Sequence, residues 1–137
     1  MVQQGTAQDG LVSVPSKYSA LETTDRLLAA LAKRGMTVFA RLDHAAGAAA
    51  AGLSLRPTQV IVFGNPKGGT ALMQDRQTAG IDLPLKALIW EAADGQVWLS
   101  YNDPHWIARR HDLGAASAGP VEAMATALAA IAAETAM

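Results

Sequence analysis

The chain has 137 residues, is 50% apolar and only 17% charged, and carries a net charge of −1. That length suits one domain with a sizeable core, and interleaved, nearly balanced charge excludes a broad phosphate-binding face, so no nucleic-acid partner is expected. With no cysteine, disulfides, thiolate metal ligands and a cysteine nucleophile are excluded as well.

Residues 1–10 read as a disordered, polar lead-in, and residues 11–137 as a single domain. The lead-in lacks the basic start and apolar run of a signal peptide. This fits a cytoplasmic protein as given, or a periplasmic one whose signal has been removed. No run approaches the roughly 18 apolar residues of a membrane span, so no membrane contact is expected.

Residues 11–15 alternate as a short strand, with Leu11, Ser13 and Pro15 opposite Val12 and Val14. Ser19 and Glu22 form a capping box for a helix over 20–34, with Leu21, Leu27, Leu28 and Leu31 at helical spacing. Gly35 is placed to stop it in a left-handed turn. A strand follows over 36–43, and Asp43 caps a short alanine-rich helix over 44–51. Residues 58–63 form an apolar strand, broken by Gly64-Asn65-Pro66, and 70–76 suit a short helix.

Residues 83–92 and 96–101 predict a hairpin around a two-residue Asp94-Gly95 turn. That turn sets Trp90 opposite Leu99 and Leu88 opposite Tyr101. One face then carries Leu88, Trp90, Val97, Leu99 and Tyr101 as the core. The other carries Ala87, Ile89, Glu91, Trp98, Ser100 and Asn102. An open face bearing Ile89 and Trp98 is expected to meet a subunit or a ligand. Asn102 or Asp103 caps a helix opening at Pro104. A last helix from Pro120 carries Val121, Met124, Leu128 and Ile131 on one stripe.

Phe63-Gly64-Asn65-Pro66, Ile81-Asp82-Leu83-Pro84-Leu85 and Tyr101-Asn102-Asp103-Pro104 occur in this order, behind an amphipathic helix ending at Gly35 and the pair Asp43-His44. The set resembles the domain-of-unknown-function 302 family of small bacterial and archaeal proteins, over residues 12–113. The resemblance implies a two-layer α+β sandwich, similar to the TATA-binding-protein arrangement, in strand-helix-four-strands-helix order. It implies no established activity. The spacing reading gives the same class: a mainly antiparallel sheet with helices on one face. Such a fold suits a homodimer, and the charge-poor surface points the same way.

Polar residues gather at element ends. Asp43 can orient His44 as a general base, or simply cap the helix. Lys67 beside Gly68-Gly69 suggests an anion nest, though the lysine precedes the glycines and so departs from a Walker loop. The alternative is a tight turn in which Asn65 bonds local backbone. Asp82 is either an acid–base group near His44 or a loop-satisfying carboxylate. Leu83-Pro84 is a candidate cis bond, and Tyr101 is a packed ring with a polar tip. His105 and His111 miss the i,i+4 spacing of a helical metal pair, so no metal site is expected. Trp90 and Trp98, on opposite faces in this register, form no stacking platform.

The leading expectation is a homodimeric small-molecule-binding module using Asp43, His44, Asn65, Lys67, Asp82 and Tyr101. The sequence assigns no catalytic residue and no cofactor. Its rivals are an enzyme with an Asp82–His44 acid–base pair and a structural assembly subunit working through the open sheet face.

Overall fold

A computed structural model describes residues 9–137. The lead-in assigned to residues 1–8 lies outside the described residues. Asp9 and Gly10, placed in the same lead-in, belong to the fold. Gly10 is buried at φ +82°, its carbonyl accepts from Asp103 N, and a Cβ there would overlap the Trp106 ring.

The strands are β1 (Leu11–Ser16), β2 (Thr37–Asp43), β3 (Thr58–Gly64), β4 (Leu85–Glu91) and β5 (Val97–Asn102). They form one antiparallel sheet in the order β1-β5-β4-β3-β2. The helices are α1 (Ala20–Lys33), α2 (His44–Ala50), α3 (Pro66–Asp75), α4 (Pro104–Arg110) and α5 (Ala118–Ala136). Short 3-10 turns span Gln77–Ile81 and Ala115–Ser117. The expected strand-helix-four-strands-helix order is present, with α2, α3 and α4 added at strand ends.

Ser19 caps α1, accepting from Glu22 N at 3.0 Å, and Gly35 follows at φ +67°. Leu27, Ala30 and Leu31 of α1 join Leu128, Ile131 and Ala132 of α5 over Ile61, Phe63, Ala87, Ile89 and Leu99 of the sheet. Leu21, expected on that stripe, is 74% exposed because it is turned away from the buried face of Thr23, Thr24, Leu27, Ala30 and Leu31. Leu72, Ala79 and Val121 form a smaller core beneath α3. Helix α5 is long and apolar enough to cross a membrane, but here its buried stripe seats it on α1 and the sheet.

The hairpin departs from its expected register. Ala92 N donates to Gln96 O, and Gly95 takes φ +90°, so the loop is Ala93-Asp94-Gly95. One extra loop residue shifts β4 by one position and turns every side chain over. Ile89 pairs with Leu99 in the core, at 1% exposure. Leu88 and Trp90 move to the open face, beside Trp98. Trp90 and Trp98 are therefore cross-strand neighbours, stacked at 6.1 Å and 19°, rather than on opposite faces. Trp90 Nε1 donates to Ser100 Oγ, which pairs with Ser13 Oγ. The open face thus carries Trp90, Trp98, Leu88, Val60 and Leu42.

Candidate functional site

Neighbouring strands run antiparallel, so successive loops alternate between the two ends of the sheet. At one end the β3–α3 junction, the segment entering β4 and the start of β2 surround a cleft of about 500 Å³. Its walls include Met36, Phe39, Met73, Leu83 and Met124, with Asn65 and Thr70 as polar members. Phe39 is the extra residue of a bulge in β2, between Val38 and Ala40, and the bulge aims it at the cleft. Three methionines give a lining that adapts to shape. The Leu83-Pro84 bond in its wall is cis, as the sequence suggested.

Asn65 caps α3, accepting from Lys67 N at 3.0 Å, and Pro66 opens the helix. Helix α3 therefore starts at Pro66, not near residue 70, and Gly68 and Gly69 are helical rather than an anion nest. Their missing side chains leave room for the cleft. A Cβ at Gly68 would press on Met124 Cε at 3.1 Å, while one at Gly69 would touch Leu83 and Met73 at 3.9 Å. Lys67 is exposed beside the cleft without lining it.

Asp43 and His44 lie at the opposite end of the sheet. Asp43 pairs with Gln59 while Thr37 pairs with Gly64, which separates them by roughly 17 Å along the strand. Asp43 caps α2 through Ala46 N at 2.9 Å, and His44 is exposed. The expected gathering of His44 with Asn65 and Asp82 does not occur, and Asp82 faces another histidine. Asp82 Oδ2 lies 2.6 Å from His111 Nε2, and Arg110 Nη1 donates to both carboxylate oxygens at 2.9 and 3.0 Å. His111 Nδ1 lies 3.0 Å from Thr78 Oγ1. In the sequence His111 stands out only as a possible metal ligand. The signal for its true partner is an Arg-His pair closing α4, where the helix must dock on the segment before β4.

Two further polar clusters fasten the same end. Asp75 accepts from Gly114 N at 2.8 Å and Ser117 Oγ at 2.6 Å, and these bonds hold its carboxyl below the usual range. His105 bridges Asp103 and Glu122, and bonding to Glu122 and then Asp103 raises its pKa. Tyr101, on the core face, has its pKa raised by burial and then by the charge of Asp103. Among the described residues no three His, Asp or Glu side chains converge as a metal set.

A five-stranded antiparallel sheet, helices on one side and loop motifs in this order define an α+β domain. The chain belongs to the family described as domain of unknown function DUF302, whose model matches residues 12–131. A crystal structure of an uncharacterised conserved DUF302 protein from Bacillus stearothermophilus shares the fold. The TM-score is 0.83 at 18% identity, covering 94% of this chain and 99% of that one. The chain is also 54% identical over 117 residues to proteins named fluoride-specific ion channel FluC 1 from Brucella suis and Brucella abortus. The match takes 85% of this chain but spans only 46% and 43% of those relatives.

Proposed function

We propose that the chain is a homodimeric binding module for a small, largely apolar molecule, held in the cleft between α3, α5 and the start of β4. The observation that carries this reading is the cleft itself, about 500 Å³ and walled by Met36, Phe39, Met73, Leu83 and Met124. Ligand pockets commonly span roughly 300–1,000 Å³, with an apolar lining and a few polar groups. Asn65 and Thr70 supply those groups. The apolar open face, with Trp90, Trp98, Leu88 and Leu42, supports pairing of two copies through their sheets. Gly69→Leu tests the binding reading, because its Cβ meets only ordinary contacts and the added side chain fills the cleft. Native mass spectrometry and an environment-sensitive apolar dye should both show binding to the parent and its loss in Gly69→Leu. Equal dye binding by two folded proteins would defeat the proposal.

A second reading comes from the relatives' name. Their match to this chain supports a role beside a membrane fluoride channel, with this domain as an attached or separately made regulatory part. A strain lacking this chain should then change its tolerance to fluoride. Unchanged growth across a fluoride series, with the channel present, counts against that role.

A further inference from the structure

We propose that Thr78 is a base-activated nucleophile, with His111 as its general base and Asp82 as the residue that positions the base. In the neutral-ring tautomer with its proton on Nε2, His111 donates to Asp82 Oδ2, which lies 2.6 Å away. Nδ1 is then left with a lone pair, and it faces Thr78 Oγ1 at 3.0 Å. In that tautomer the hydroxyl is the donor in the contact. A hydroxyl, an imidazole and a carboxylate in line, with the ring held by its far nitrogen, have the geometry of an activated nucleophile.

Exposure fits the assignment. His111 and Asp82 side chains are 7% and 11% exposed, so the base and its partner are shielded. Thr78 is exposed on the 3-10 turn Gln77–Ile81, where a substrate can reach it. Arg110 binds both oxygens of Asp82 and orients the carboxylate. Asp112, the neighbour of His111, is paired with Arg76 at 3.2 Å, so the other nearby charge is balanced.

A base-activated threonine oxygen suits acyl transfer, so the electrophile of the proposal is an activated carboxylic ester. Thr78 Oγ1 attacks the carbonyl carbon while its proton passes to His111 Nδ1. The C–O bond to the leaving group breaks, and the departing oxygen takes that proton; a nitrophenol formed in this way then ionises in water. Water then attacks the acyl-threonine ester, gives a proton to Nδ1, and releases the acid as the proton returns to Thr78. Atoms and charge balance with water as the only co-reactant. The chemistry is independent of the cleft, so it stands or falls apart from the binding reading.

The test uses the full chain and p-nitrophenyl acetate. The parent should release nitrophenolate and carry an acetyl group on Thr78, located by peptide mass spectrometry. Thr78→Val, at an exposed position, should keep the thermal midpoint and lose the Thr78-dependent rate, and Thr78→Ser should retain it. His111→Gln should lower the rate by about 100-fold or more, the usual share of a general base. Asp82→Asn should displace the pH–rate profile, which a merely structural carboxylate would not do. Acetylation confined to lysines, or an unchanged rate in folded Thr78→Val, overturns the assignment.

Discussion

Replacing Ile89 and Leu88 in turn by alanine probes the register of the central hairpin. Ile89 is 1% exposed and enclosed by α1 and α5, whereas its neighbour Leu88 is only partly covered on the other sheet face. Trimming isoleucine to alanine removes three carbons, about 2.4 kcal/mol at ~0.8 kcal/mol per buried methylene. The cavity term brings the loss to about 2–5 kcal/mol. Leu88 is partly exposed, so its loss should be smaller, about 1 kcal/mol. With a urea slope of about 2 kcal/mol/M, the midpoint should fall by more than about 1 M for Ile89→Ala and by about 0.5 M for Leu88→Ala. Equilibrium unfolding followed by tryptophan emission at low protein concentration measures both. If Leu88→Ala is the more damaging variant, independently of concentration, β4 faces the other way and the core described above is wrong.

Ser100→Ala should cost about 1–3 kcal/mol, because Trp90 Nε1 and Ser13 Oγ lose a buried partner that is only 2% exposed. Unfolding midpoints, with near-ultraviolet dichroism for the Trp90–Trp98 stack, report it. Thr135→Val should raise stability by about 1 kcal/mol, since its buried Oγ1 has no hydrogen-bond partner among the described residues. Calorimetry showing a loss would mean that the hydroxyl is satisfied. The bonds to Glu122 and Asp103 raise the His105 pKa above 6.5. Their stabilisation is therefore full below pH 6.5 and lost as pH rises through the raised folded value. Thermal midpoints of His105→Asn should match the parent at high pH and fall below it at low pH; a uniform offset contradicts this.

Most elements were legible because their signals are local. The Ser19 cap and Gly35 stop bracket α1, Asp43 caps α2, and Pro104 opens α4, each within a turn of the residue responsible. The hairpin register was not, because Asp94-Gly95 serves equally in a two-residue turn and at the end of a three-residue loop. A single added residue, Ala93, exchanges the roles of Leu88 and Ile89. The site was misgrouped for a topological reason. Asp43-His44 closes β2 and Asn65 closes β3, and paired antiparallel strands end at opposite edges of a sheet. The partnership of Asp82 with His111 spans 29 positions and depends on how α4 packs, which no local spacing encodes.

The last turn of α5 is held unusually firmly. Arg26 donates to the carbonyls of Thr135 and Glu134, Lys17 N to Ala136 O, and Tyr18 Oη to Met137 O. These anchors sit beside the β1–α1 corner, whereas Pro120 and Met124 at the helix's other extremity wall the cleft. About 25 Å of helix separates the two. Any polypeptide joined after Met137 therefore departs from the pole remote from the cleft walls at Pro120 and Met124, so a C-terminal tether would not crowd them.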